Sequence, residues 1–127
     1  MIALDASVVI AFLSPSDPHH ARAAQLLEEH AAAGFRMHQI TLAEVLVGAI
    51  RTGRGAQLFN DLTSLGVVAH QPGANEPLTL AELRATTGLR MPDCCVLAVA
   101  QQESLPLATF DEQLAGVAKG LGVQTLR

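Results

Sequence analysis

The chain has no tryptophan and no tyrosine, and only four phenylalanines among its 127 residues. Single-strand binding proteins commonly stack bases on an aromatic platform, and this composition supplies that device poorly. Lysine occurs once, at Lys119, and the formal net charge is −4, so the protein as a whole does not attract nucleic acid. A nucleic-acid substrate would need a local basic rim or a bound cation. Seven of the eight basic residues are arginine, the better fork for phosphate. The two cysteines stand side by side as Cys94-Cys95, which excludes a secreted disulfide framework and places the chain in the cytoplasm. No apolar run is long enough to span a bilayer. Val8 to Leu13 has the look of a signal-peptide core, but no basic segment precedes it and Asp5 interrupts the apolar N-terminus.

Half of the residues are hydrophobic, and 13.3 kDa suffices for one domain with a single core. Short β-like runs alternate with longer helical patterns. Ile2-Ala3-Leu4 is a strand ending at Asp5, and Ala6 to Leu13 a helix stopped by Ser14-Pro15. Asp17-Pro18 starts a second helix, with Ala21, Ala24, Leu27 and Ala31 on its inner face and Gly34 at its end. Arg36 to Ile40 is the second strand. Thr41 then reads as the cap of a helix, with Glu44 completing a Thr-x-x-Glu capping box. Ala56 to Leu65 is a helix, Val67 to Ala69 a strand, and Leu78–Thr87 and Pro92–Glu103 are helices. Leu105 to Thr109, Asp111 to Lys119 and Val123 to Thr125 read as strand, helix and strand. Such alternation means right-handed crossovers and a mainly parallel sheet covered on both faces, an α/β fold.

In an open parallel sheet, ligands bind beyond the carboxyl ends of the strands. Four acids are expected there. Asp5 closes the first strand, Glu44 lies in the first turn after the second, Asp93 opens the helix before the fourth, and Asp111 follows the fourth directly. Taken singly, Glu44, Asp93 and Asp111 are ordinary helix caps that oppose the helix dipole. Asp5 is harder to dismiss, because an unpaired carboxylate in an apolar setting is costly. Four carboxylates converging on one cleft repel each other unless a cation neutralises them. Mg²⁺ suits one or two carboxylates plus waters and phosphate oxygens. Ser7 and Thr109 add hydroxyls at the same edge.

The ordered set Leu4-Asp5-Ala6-Ser7-Val8, Thr41-Leu42-Ala43-Glu44-Val45, Met91-Pro92-Asp93 and Ala108-Thr109-Phe110-Asp111 resembles the PIN-domain ribonucleases. More narrowly, it looks like the VapC toxins of type II toxin–antitoxin pairs. The resemblance implies a single PIN domain over residues 1–127, a three-layer fold with a parallel sheet of four to five strands in the order 3-2-1-4-5. It implies an endoribonuclease acting on tRNA or rRNA with Mg²⁺, for which Mn²⁺ substitutes. Asp5, Glu44, Asp93 and Asp111 would be its catalytic and metal-binding acids, Asp5 and Asp93 foremost, with Ser7 and Thr109 in support. It further implies a homodimer and a hetero-oligomer with a cognate VapB-like antitoxin that inhibits it. A dimer would pool Arg51, Arg54, Arg84 and Arg90 into a basic rim. The other readings are a catalytically silent PIN-like binding module and a phosphoacceptor domain. The second lacks the paired acids after the first strand and the lysine such receivers carry after the last strands.

Two features suggest other sites and are read otherwise, the cysteines as packing and His19 or His20 as a surface residue near the cleft mouth. Cys94 and Cys95 open an apolar helix, where free cysteine behaves as a small hydrophobe. His19 and His20 are adjacent, so helical geometry turns them about 100° apart and they cannot easily share a metal. His30, His38 and His70 are scattered along the chain.

Overall fold

The computed structural model describes residues 1–127. Five short strands, β1 (Ile2–Leu4), β2 (Phe35–Met37), β3 (Val67–Ala69), β4 (Leu107–Ala108) and β5 (Thr125–Leu126), form one sheet in the order β3-β2-β1-β4-β5. Every pairing is parallel. Parallel neighbours require crossovers, and seven helices supply them: α1 (Ala6–Leu13), α2 (His20–His30), α3 (Gln39–Arg51), α4 (Gly55–Leu65), α5 (Glu76–Thr87), α6 (Met91–Gln102) and α7 (Glu112–Gly120). The α/β class and the strand order expected from the sequence are the ones observed.

The period-two alternation of the strands divides the core in two. Ile2, Leu4, Phe35, Met37, Val67 and Ala108 face α1 to α4, whose Val9, Leu27, Leu42, Val45 and Leu62 close that layer. Ala3 and Leu107 face the other way, against Leu83 of α5, Leu97 of α6 and Leu114 of α7. Each of these larger side chains contributes roughly 1.5–3 kcal/mol by leaving water. α6 is buried over its whole run from Cys94 to Ala100, which fixes the depth and rotation of the residue just ahead of that run, Asp93. No helix is long and apolar enough to cross a membrane.

Several local readings are corrected. α2 begins at His20 rather than at Asp17-Pro18, and its buried residues are Ala23, Leu26 and Leu27. Ala21 and Ala31 are exposed, because two leucines remove more apolar surface from water than a stripe of alanines. The second strand stops at Met37, and Ile40 already belongs to α3. The capping box is absent: α3 starts at Gln39, and its cap is His38, whose Nδ1 accepts the Ile40 N–H at 3.1 Å. Thr41 is buried in the first turn, and Glu44 lies in the second turn, exposed to solvent. The chain turns out of α4 at Gly66, in the left-handed region at φ 107°, and into β2 at Gly34, at φ 86°. A Cβ on Gly34 would lie 3.3 Å from the Gly66 carbonyl oxygen, so both positions favour glycine for geometric reasons.

Candidate active site

The parallel ladder continues past the ends of the strands. The Asp5 N–H donates to the Ala108 carbonyl at 3.0 Å, and the Thr109 N–H to that of Leu126 at 3.1 Å. Asp5 and Thr109, 104 positions apart, are thereby locked side by side at the carboxyl edge. Asp5 occupies the N-cap position of α1, yet its side chain caps nothing. Both neighbouring hydroxyls donate to its Oδ2, Ser7 Oγ at 2.7 Å and Thr109 Oγ1 at 2.7 Å. Asp5 is buried, with 7% of the residue exposed, so these bonds offset the cost of burying its carboxylate.

The same hydroxyls also receive protons from the backbone. Ser7 Oγ accepts the Phe110 N–H at 3.1 Å, and Thr109 Oγ1 accepts the Asp111 N–H at 3.0 Å. Each hydroxyl therefore donates to Asp5 and accepts from the loop that enters α7. Asp111 caps that helix, its Oδ1 accepting the Leu114 N–H at 3.0 Å. For Asp111 the capping role read from the sequence is real, and one oxygen stays available.

Asp93 stands in the first turn of α6. Its carboxyl is held above the usual carboxylate range, chiefly by burial, then by the charges of Asp111 and Asp5. Arg90 opposes the shift and Glu44 adds to it. Three acids distant in sequence, Asp111, Asp5 and Glu44, thus bear on Asp93 through space. Asp5, Asp93 and Asp111 form the interior of the group, and Glu44 is its solvent-facing member. No three of the His, Cys, Asp and Glu side chains lie close enough together to enclose an ion. The donors on offer are all carboxylate and hydroxyl oxygens, the chemistry that suits a hard cation rather than a soft one.

Cys94 and Cys95 are fully buried and unbridged. Burial pushes the Cys94 thiol up and the Cys95 thiol up to about 11. Neither thiol is a nucleophile at neutral pH. The histidines are less scattered than their numbering suggests. His38 and His70 are buried with ring centroids 6.4 Å apart. His38 Nε2 meets Glu76 Oε1 at 2.9 Å, while His70 lies between Glu103 and Gln102, and Arg36 Nε donates to Glu103 at 3.0 Å. This network joins β2, β3, α5 and α6, and no spacing in the sequence announces it.

Residues 2–120 match the PIN domain family model. Among solved structures, a toxin–antitoxin complex from Klebsiella pneumoniae contains a chain 25% identical, with 92% of each chain covered and a TM-score of 0.75. FitAcB from Neisseria gonorrhoeae is 22% identical over 100% of this chain and 97% of that one, with a TM-score of 0.72. FitAB bound to an IR36 DNA fragment is 20% identical over 99% and 94%, with a TM-score of 0.73. No curated protein matches at a significant level. With a family model spanning nearly all of its length, the chain belongs to the PIN domain family.

Proposed function

We propose that this chain is a metal-dependent endoribonuclease, the toxin of a VapBC-type pair, acting in the cytoplasm on tRNA or rRNA. The observation that carries the reading is the placement of Asp5, Asp93 and Asp111 at the starts of α1, α6 and α7, with Asp5 buried and held by two hydroxyls. Natural chains seldom gather like charges without a cation to answer them. Asp5 and Asp93 are the proposed principal ligands of Mg²⁺, with Mn²⁺ as substitute, and Asp111 and Glu44 complete the set partly through water. The likeness to a chain of a Klebsiella toxin–antitoxin complex supports the toxin role and an antitoxin partner.

Bound there, the ion would polarise a phosphodiester and lower the pKa of a coordinated water. The protein's own groups do the rest. Ser7 and Thr109 hold Asp5 Oδ2 and leave Oδ1 free of hydroxyl donors. The amino ends of α1, α6 and α7, placed at this edge, moderate the repulsion among the acids. Arg90, the exposed N-cap of α6 whose charge reaches Asp93, is placed to meet a phosphate. Dimerisation would bring a second set of arginines to the same face.

Purified protein should cleave RNA with Mg²⁺ or Mn²⁺ and lose that activity in EDTA, in Asp5→Asn and in Asp93→Asn. Equal cleavage by all three proteins would overturn the reading. Stable folding with neither cleavage nor Mn²⁺ binding would favour the silent binding module. Co-purification with the product of an adjacent short reading frame, together with loss of cleavage in the complex, tests the toxin role.

A further inference from the structure

His19 stands at the N-cap position of α2, where Ser, Asp or Asn usually accepts a backbone proton, yet its ring caps nothing. Asp17 does the local work instead, its Oδ1 accepting the His19 N–H at 2.8 Å. The ring is laid on Phe110, with centroids 4.5 Å apart and planes within 11°. Phe110 in turn is positioned by the acidic site. Its N–H donates to Ser7 Oγ, and its chain neighbours are Thr109 and Asp111. His19 is exposed and Phe110 half-buried, so one side of the stack is seated in the protein and the other is open to solvent.

We propose that the His19–Phe110 stack is a nucleobase platform at the lip of the acidic cleft, taking one unpaired base of the RNA beside the scissile phosphate. The inference rests on the ribonuclease reading. A flat ring already stacked and tied to the site loses little freedom when a base lies on it. Every base has a π-face, so the subsite accepts any sequence and selects for unpaired nucleotides. The scarcity of aromatics is met here by an imidazole.

The test uses an unstructured oligoribonucleotide carrying 2-aminopurine, bound to full-length Asp5→Asn protein so that the probe is not cut. His19→Ala and His19→Leu are made in that background, and His19→Tyr as the stacking replacement. Leucine still covers Phe110 but offers no flat face, which separates stacking from simple packing. Stacking energies measured for single-strand binders predict about a tenfold loss of affinity, with loss of 2-aminopurine quenching, in both Ala and Leu variants. Tyrosine should restore both. In the cleaving protein the same substitutions should raise KM about tenfold at unchanged kcat, as expected for an interaction equal in ground and transition states. Leu or Ala variants that bind and quench like the unsubstituted protein would overturn the platform while leaving the nuclease standing. His19-dependent quenching without any metal-dependent cleavage would support the platform and overturn the nuclease. RNA bound by none of these proteins, together with no metal-dependent cleavage by the protein that keeps Asp5, would overturn both.

Discussion

Replacing Thr109 by valine tests whether the hydroxyl pair holds the site together. The side chain is fully buried, and valine reproduces its shape with a methyl in place of Oγ1. Two bonds disappear: the 2.7 Å donation to Asp5 Oδ2 and the 3.0 Å acceptance of the Asp111 N–H. A hydrogen bond to a charged group is worth about 1.5–3 kcal/mol, and an orphaned buried donor costs about 1–3 kcal/mol. Asp111 is half-buried, so water reaches its N–H and the second cost sits at the low end. The added methyl returns about 0.8 kcal/mol. The net loss is about 2–3 kcal/mol, read as a lower urea midpoint at unchanged m in metal-free buffer. Thr109→Ser keeps the hydroxyl and should lose only about 1 kcal/mol through the missing methyl. RNA cleavage should fall steeply in the valine variant, where Asp5 keeps only Ser7 as a partner, and persist in the serine variant. A valine variant as stable as wild type would show that the Thr109–Asp5 bond holds nothing in place, and the proposed role of Oδ2 would fall with it.

Asp93 contributes one pH dependence of known sign. Its folded-state pKa lies above the ordinary 3.8, so its favourable contribution is complete below that value and is lost as pH rises through the folded pKa. Asp93→Asn should therefore raise the stability of the metal-free protein at neutral pH and flatten the decline above pH 3.8, measured by urea unfolding across pH; a less stable variant would contradict the burial and repulsion argument. Saturating Mn²⁺ should raise the unfolding midpoint of wild type and not that of Asp5→Asn, since only an ion bound to the native state stabilises it. Cys94 and Cys95 should resist a thiol reagent at pH 8 until urea unfolds the chain, because both are buried and the Cys95 thiol titrates near 11; rapid labelling of native protein would refute their packing role. Glu103→Leu leaves Arg36 and His70 without their carboxylate and should cost about 2–3 kcal/mol in urea unfolding, below the range for a sealed pair because a quarter of the Arg36 and Glu103 side chains is wet.

The fold class was legible because crossover helices and short apolar strands alternate with few exceptions, and parallel topology then limits the choices. Asp5, Asp93 and Asp111 were legible as edge residues for the same reason: each abuts an element whose boundary the sequence marks. Glu44 was placed at the right edge for the wrong local reason, since the cap belongs to His38 and not to Thr41. Histidine is an unusual cap, and no propensity rule points to it. The His38–His70 network was invisible because its members come from four elements whose relative rotation only packing decides. The inner face of α2 was misjudged because alanine spacing fits more than one rotation, and the leucine pair Leu26-Leu27 decided which was buried. His19 was read as a surface residue near the cleft, and what the sequence could not supply was its ring-on-ring contact with Phe110, 91 positions away (110−19).

The acids of the site are not equivalent, and their inequality bears on how the chain folds before any ion arrives. Asp5 spends one oxygen on two hydroxyls, and Asp111 spends one on the amino end of α7. Both carboxylates are thereby useful to the fold itself. Asp93 has no hydrogen bond of that kind and faces burial and the other charges, against which Arg90 is the one opposing group. The cost of assembling the site is concentrated on a single side chain at the start of the most buried helix in the molecule. That helix can carry it, because the apolar run Cys94–Ala100 holds it in place whatever the charge at its tip. A cation drawn to this edge would relieve Asp93 first, so ion binding and the stability of the amino end of α6 should be coupled, and the coupling should vanish in Asp93→Asn.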